Sequence, residues 1–260
     1  MLKKISPYNL IMLSFIGLIV VGALLLMMPF AHTPQKDISF LEALFTATSA
    51  VTVTGLSVID IGATFTIYGK LILLVLIQFG GLGVFTISSV LVLLIAKRIG
   101  FYTKKIVAEG LNHNKSYDIY AVAKRVVYIT LLFEATGALC LFISFIQEFP
   151  FGKALFFSVF HSVSAFCNAG VSLFPHSFEG YTYNVFVNII IAFLVIFGGL
   201  GFTTIIQSYE YLRKKRRRLD INSQFSILMT IILLVAGTFL FFTLEYKNYY
   251  TLYGKGFFNQ

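Results

Sequence analysis

Charged residues are scarce in this chain. Of its 260 residues only 12% are charged, whereas 58% are hydrophobic, and the mean hydropathy is +0.86. A soluble domain of this size does not need so much apolar surface, and several apolar runs exceed the roughly 18 residues that cross a bilayer. The composition therefore argues against a soluble globular protein and predicts an all-α integral membrane protein.

Sequences typical of catalysis are also missing. The chain contains no HExxH, GxSxG or GxxxxGK[ST] motif. Its two cysteines, Cys140 and Cys167, lie in apolar segments without metal-ligand spacing. We therefore expect no enzyme and no catalytic metal. The net charge of +9 would suggest nucleic acid as the partner of a soluble protein, but here the basic residues cluster between apolar segments, so we expect a lipid bilayer and no nucleic acid.

Long apolar segments alternate with short ones. The long ones cover roughly residues 9–29, 67–96, 121–146, 184–211 and 225–245, and the short ones roughly 40–51 and 154–166. A helix of about 12 residues is only about 18 Å long, so each short piece lies outside the bilayer or dips in and returns. The first long run offers no cleavage site of the small-x-small kind, and we expect it to be a retained span.

Lysine and arginine predict the orientation. Most of them precede the first span or follow the second and fourth spans, which predicts that the N-terminus and both basic loops are cytoplasmic. The block RKKRRR at 213–218 fits either an anchor near anionic lipid or a docking surface for a cytoplasmic partner.

The chain repeats itself. LFTATSAVTVTGLS at 44–57 resembles VFHSVSAFCNAGVS at 159–172, an offset of 115 residues, and FGGLG at 79–83 recurs at 197–201, an offset of 118. Each unit reads span, short helix, glycine loop, span, and therefore starts and ends on the same side. The copies are then parallel around an axis along the membrane normal, which argues against transporters built from inverted repeats.

The repeat predicts three segments. Residues 1–100 form the first unit, and 101–218 form the second with a cytoplasmic linker before it. Residues 219–260 form an incomplete third unit, with one span and the start of a short helix, because GKGFFNQ at the end resembles GKALFFS at 152–158.

The repeated loops have the chemistry of a cation path. If both short helices point their C-termini at the common axis, their dipoles favour a cation there. Main-chain carbonyls of an extended loop can replace the water shell of an ion, and a glycine leaves the path free of side chains. No acidic residue is required in either loop, which suits a monovalent ion. The candidate ion-binding residues are Thr52, Val53, Thr54 and Gly55 in the first copy and Cys167, Asn168, Ala169 and Gly170 in the second.

The order of span, short helix, glycine loop and span, with both FGGLG sequences, resembles the membrane subunit of the Trk/Ktr/HKT superfamily of potassium transporters, most closely the Ktr-type (KtrB-like) subunit. The resemblance implies a potassium-channel-like fold of four parallel repeats, each with a re-entrant pore helix and a selectivity-filter loop. It implies K+ as the transported ion, with Na+ assisting in some members. It also implies a homodimer in the cell membrane and a cytoplasmic nucleotide-binding regulatory ring of the RCK (KtrA-like) kind.

The chain departs from that pattern in length, since it holds two glycine loops where the resemblance implies four, and looks like the N-terminal half. Two functions are therefore kept. In the first, the chain belongs to a pore-forming potassium uptake subunit; in the second, it is a truncated, non-conducting binding or regulatory subunit that assembles with full-length copies or with the ring.

Four features outside the loops keep more than one interpretation. Glu134, in the middle of a span, has either a structural hydrogen bond or a role along the ion path. Asp60 is either a solvated loop acid or a cation attractor at the outer mouth. For His161, packing or capping is favoured over ligation. The FGGLG glycines permit either close helix packing or a bend beside an inner cavity.

Overall fold

The computed structural model describes residues 7–34, 36–83, 119–214 and 218–248. Within them the chain is helical, and its only ladder pairing is an isolated bridge between His32 and Phe65. The α-helices are α1 (Pro7–Leu26), α2 (Phe40–Val51), α3 (Ile61–Thr64), α4 (Ile67–Gly81), α5 (Ile119–Phe145), α6 (Phe151–Phe166), α7 (Val185–Gly199), α8 (Phe202–Leu212) and α9 (Ile221–Glu245), with a 3₁₀ turn at Glu179–Tyr181. The predicted all-α fold is confirmed.

Two stretches of the described helices are long and apolar enough to cross a membrane, Lys124–Phe145 of α5 and Ile221–Glu245 of α9. The predicted span over 184–211 differs, because α7 and α8 meet at an angle of 99°. The break lies at Gly201, whose φ of 83° no right-handed helix accommodates. This bent pair is either a broken span or a re-entrant loop.

The predicted span over 67–96 is seen only in part. Helix α4 starts at Ile67 and ends at Gly81, and the rest of that span lies outside the described residues. The same holds for most of the basic linker before α5 and for the tail GKGFFNQ, so the three predicted segment boundaries remain predictions.

The two short helices occupy the places that the repeat predicts. Helix α2 packs between α1 and α4, and α6 packs between α5 and α7. Helix α2 begins with a capping box, in which the Ser39 hydroxyl accepts from the Glu42 N–H and the Glu42 carboxylate accepts from the Ser39 N–H at 2.9 Å. Helix α6 begins instead after Pro150, without a side-chain cap. Helix α6 is thus held mainly by packing, since ten of its sixteen residues are buried.

A glycine in the first helix of each unit lets these three helices approach. A Cβ on Gly22 of α1 would lie 2.7 Å from Leu76 Cδ1 of α4 and 3.4 Å from Ala47 Cβ of α2. In the second unit, a Cβ on Gly137 of α5 would lie 2.5 Å from the Ser162 hydroxyl of α6 and 2.7 Å from Leu194 Cδ1 of α7. The partners follow the same offsets of 115 and 118 residues as the sequence repeat. The repeat is therefore one of packing as well as sequence.

Helix α9 joins the rest of the molecule near its start. The Gln207 side chain of α8 bonds Asp220 at 2.8 Å and Ser223 at 3.0 Å, and the Ser226 hydroxyl donates to the Leu200 carbonyl at 3.1 Å. Beyond these contacts the large apolar side chains of α9 are exposed, as at Leu233 and Phe239.

Candidate functional site

The two glycine loops meet. We call residues 52–55, after α2, the first glycine loop, and residues 167–170, after α6, the second. A Cβ placed on Gly55 would lie 2.9 Å from the Ala169 carbonyl oxygen and 3.1 Å from Gly170 Cα. A Cβ on Gly170 would lie 3.1 Å from Gly55 Cα. All eight candidate residues thus fall in two adjoining loops that touch through bare backbone, and neither glycine position has room for a side chain.

Both loops follow the same backbone path. Each short helix ends in a right-handed cap, is followed by a left-handed residue, and reaches a left-handed glycine two positions later. The φ angles of these left-handed residues are 54° at Val53, 58° at Asn168, 78° at Gly55 and 66° at Gly170. In each case a loop N–H returns to the helix: Thr54 donates to the Ser49 carbonyl at 3.0 Å, and Ala169 donates to the Ser164 carbonyl at 2.8 Å. This is the 6→1 bond of a Schellman helix end, usually built with glycine at the left-handed position.

Neither left-handed residue before the glycine is itself a glycine. For a β-branched residue such as Val53, a positive φ is a true outlier, and such strain of about 1–3 kcal/mol concentrates at functional sites. Asn168 tolerates the conformation better. With its amide oriented so that both groups are satisfied, Asn168 donates to the Val195 carbonyl and accepts from the Gly199 N–H, each at 3.2 Å. The second loop is therefore bonded to α7.

The paired glycines of FGGLG pack against the short-helix ends. A Cβ on Gly80 would lie 2.2 Å from the Val51 carbonyl oxygen, and one on Gly198 would lie 1.8 Å from the Phe166 carbonyl oxygen. The same contact occurs in both units, so close packing is confirmed for Gly80 and Gly198. The last glycine of each motif, Gly83 and Gly201, also has a positive φ, and at Gly201 the chain bends.

A histidine supports the exit of the second loop. The Nε2 atom of His161 accepts from the Leu173 N–H at 3.1 Å, so Nδ1 carries the proton that is donated to the Phe157 carbonyl at 2.8 Å. Its ring stacks on Phe174 with a centroid distance of 4.6 Å. His161 is 1% exposed, which agrees with the packing and capping favoured from sequence.

Two serines at equivalent positions behave differently. The Ser164 hydroxyl donates to the Val171 carbonyl at 2.6 Å and accepts from the Val171 N–H at 3.0 Å. The buried Ser49 hydroxyl of the first unit has no hydrogen-bond partner within the described part of the chain. The residue after the second loop is thus tied to the short helix by the Ser164 side chain, whereas the first loop is tied to its helix by the Thr52 hydroxyl, which donates to the Thr48 carbonyl at 2.7 Å.

Glu134 has partners that sequence reasoning did not name. Its carboxylate, on a residue that is 6% exposed, accepts from the Cys167 thiol with Sγ 3.9 Å from Oε1, and the Gln78 side chain lies close to it. Gln78 belongs to α4 of the first unit, and Cys167 opens the second glycine loop. Asp60, by contrast, caps α3 by accepting from the Ala63 N–H at 3.0 Å, which fits its interpretation as a loop acid.

The arrangement brings main-chain oxygens together where the two loops meet. The Ala169 carbonyl oxygen lies beside Gly55, and no acidic residue belongs to either loop. Among the described residues no cluster of His, Cys, Asp and Glu could hold a metal ion. Carbonyl oxygens next to bare glycines are the ligand type of monovalent cation filters.

Comparison with known proteins agrees with this geometry. The family model described as TrkH, cation transport protein, matches residues 5–246. The chain belongs to the TrkH cation transport protein family. The helices of the described residues, with the bent pair α7 and α8, are consistent with a membrane transporter of this family.

Named relatives are similar over nearly the whole chain. The Ktr system potassium uptake protein B of Bacillus subtilis is 35% identical over 250 residues, which are 96% of this chain and 55% of that protein. The Ktr system potassium uptake protein B of Vibrio alginolyticus is 38% identical over 240 residues, 92% of this chain and 52% of that protein. The potassium/sodium uptake protein NtpJ of Enterococcus hirae is 34% identical, over 96% and 55% of the two chains. This TrkH family member spans about half the length of these relatives.

Proposed function

We propose that the chain forms part of the wall of a potassium-selective path, as the pore-forming subunit of a Ktr-like uptake system in the cell membrane. One observation carries the proposal: two loops with the same backbone path, each at the C-terminus of a short helix, touch through Gly55 and Gly170. The names of the relatives, which are potassium uptake proteins, support K+ as the ion. The name of NtpJ supports a part for Na+.

The mechanism follows from the helix ends and the loops. The C-terminus of a helix carries a partial negative charge, which stabilises a cation near Val51 and Phe166. The cation exchanges water oxygens for carbonyl oxygens of the two glycine loops and of further loops around the same axis. Since K+ loses its water more readily than a divalent ion does, selection needs no carboxylate in the loop. No covalent bond changes during transport.

The partners are proposed from the same resemblance. A homodimer and a cytoplasmic nucleotide-binding ring fit the Ktr system named for two relatives. An N-terminus in the cytoplasm places the basic block at 213–218 on the side where a ring would dock.

The test is ion uptake in cells that lack their own potassium transporters. The protein is expressed from its own genomic reading frame, whatever its length, and rubidium and sodium uptake are compared for Gly55→Asp and Gly170→Asp. Each variant is expected to lose rubidium uptake or its preference for rubidium over sodium, because the side chain fills the meeting point of the loops. Gly180→Asp is the matched control, since a Cβ there meets no atom within 4 Å. Unchanged uptake and selectivity in both loop variants would refute the assignment.

We keep as a second candidate function a non-conducting binding or regulatory subunit that assembles with full-length copies or with the ring. Affinity purification from the native cells separates the two functions. Co-purification with a full-length homologue, together with no rubidium flux from the 260-residue chain alone in liposomes, is the result expected of this second function.

A further inference from the structure

Comparison of the two units reveals one place where the repeat is broken by polar residues. Glu134 lies three residues before Gly137 of α5, and the equivalent residue of α1 is Ile19, three residues before Gly22. Gln78 of α4 corresponds to Ile196 of α7 by the offset of 118 that relates the paired glycines. Both units pack in the same way around these positions. The fold therefore accepts an apolar residue at the positions of Glu134 and Gln78, and it does not require the polar pair.

The polar pair spans the boundary between the units. Gln78 comes from α4 of the first unit and Glu134 from the first helix of the second, and their side chains lie close to each other. The same carboxylate accepts from the thiol of Cys167, the first residue of the second glycine loop. On the other side of that loop, a Cβ on Gly81 would lie 2.4 Å from Cys167 Sγ. Cys167 is thus held between α4 and α5.

We infer that Glu134 is a positioning residue for the second glycine loop, which it fixes against the first unit through Cys167 and Gln78, and that it thereby contributes to ion selectivity. The inference rests on the proposed function, because that function makes the second glycine loop part of the potassium path. Physically, selectivity by carbonyl oxygens depends on their spacing and number. The Cys167–Glu134 bond ties the start of residues 167–170 to a span, while the Asn168 amide ties the next residue to α7.

The alternative is that the pair merely satisfies itself. An intramembrane carboxylate is costly and must be paired, so removing Glu134 alone would leave Gln78 without its partner and lower stability whatever the role of the loop. The apolar residues found at the equivalent positions, Ile19 and Ile196, indicate a double variant that distinguishes a role in loop positioning from mere mutual pairing. Glu134→Ile with Gln78→Ile restores an apolar interface like those that Ile19 and Ile196 represent, and leaves no orphaned polar group of the pair.

The experiment measures protein abundance, thermal stability in detergent and the ratio of rubidium to sodium uptake, for the protein expressed from its genomic reading frame. Glu134→Ile is expected to lower the uptake ratio severalfold, because Cys167 at the start of the second glycine loop loses its acceptor. The double variant is expected to recover abundance and melting temperature but to keep the low ratio, because Cys167 still lacks its acceptor. Glu134→Gln, which keeps an acceptor oxygen, is expected to preserve most of the ratio.

Three results would overturn the inference. They are an unchanged ratio in Glu134→Ile, recovery of the ratio in the double variant, and an equal loss in Glu134→Gln and Glu134→Ile, which would assign the effect to charge instead of position. Gly170→Asp measured in the same cells separates failures of the two proposals. If Gly170→Asp abolishes selectivity and Glu134→Ile does not, only the role of Glu134 is wrong; if neither variant changes it, the proposed path itself is wrong.

Discussion

The two units share a backbone and differ in the side chains that support it. The first loop reads Thr-Val-Thr-Gly and the second Cys-Asn-Ala-Gly, yet both place a left-handed residue and a left-handed glycine at the same positions. Both also return an N–H to a serine carbonyl three residues inside the short helix cap. What is kept in both copies is therefore the geometry of the main chain, whereas three of the four side chains of each loop differ.

The side-chain hydrogen bonds that hold the glycine loop differ between the two units. In the second, Ser164 and His161 bond the residues that follow the glycine, and Asn168 bonds α7. In the first, Thr46 is the equivalent of His161 and bonds only within its own helix, to the Glu42 carbonyl at 2.8 Å. The first unit has instead a capped start to its short helix. The comparison teaches that one backbone path can be stabilised from either end of the short helix.

The largest effect is expected where both units depend on a bare glycine. Gly198→Ala would place its Cβ 1.8 Å from the Phe166 carbonyl oxygen, a backbone atom that cannot swing away. We expect a loss of about 3 kcal/mol or failure to fold, as for severe overpacking. Gly80→Ala meets the Val51 carbonyl at 2.2 Å and should behave alike. Thermal unfolding in detergent measures both.

Gly199→Ala is the matched control for this comparison. Its Cβ would have nothing closer than the end of the Asn168 side chain at 3.9 Å, and alanine favours helix by up to about 1 kcal/mol over glycine. The melting temperature should stay the same or rise. Equal destabilisation by Gly198→Ala and Gly199→Ala would show that the close contact is not what the paired glycines provide.

An intermediate effect is expected from exchanging the left-handed residues. Asn168→Val puts a β-branched residue at positive φ and removes two hydrogen bonds to α7, for a loss of about 2–3 kcal/mol. Val53→Asn relieves strain but gives up apolar contact, so stability should change by less than about 1 kcal/mol. Unfolding of the two single variants measures the difference, and equal losses would contradict the unequal support described above.

The smallest effect is expected at the start of α2. Ser39→Ala removes one half of the capping box and should lower stability by about 1 kcal/mol. Glu42→Gln keeps an acceptor for the Ser39 N–H and should lose less. Melting temperatures of the two variants test this order; a Ser39→Ala protein as stable as the wild type would show that packing alone holds α2, as it does α6.

Much of this organisation could be predicted from the sequence because it is local or repeated. The short helices were expected at 40–51 and 154–166 and are found at Phe40–Val51 and Phe151–Phe166. Apolar runs and small-residue loops define such elements directly. The left-handed glycines also follow from the loop pattern, because only glycine reaches that conformation freely.

Other features depend on contacts between distant residues, which no local pattern encodes. The predicted span over 184–211 ran through Gly201 because apolar residues continue on both sides of it, although a bend was one of the two interpretations of the FGGLG glycines. Gln78 and Glu134, whose side chains lie close to each other across the two units, are 56 residues apart in sequence (78 to 134). Gly22 and Gly137 could have been found from the sequence, since they stand 115 residues apart, but each is a single glycine in an otherwise variable span.

The central claim is that the two glycine loops line one path for a desolvated monovalent cation. The most direct measurement is anomalous diffraction from crystals of the protein, expressed from its own reading frame and grown in rubidium. The account predicts a rubidium peak coordinated by carbonyl oxygens from both residues 52–55 and residues 167–170. Rubidium bound away from both loops, or Gly55 and Gly170 facing lipid on separate sides of the molecule, would contradict it.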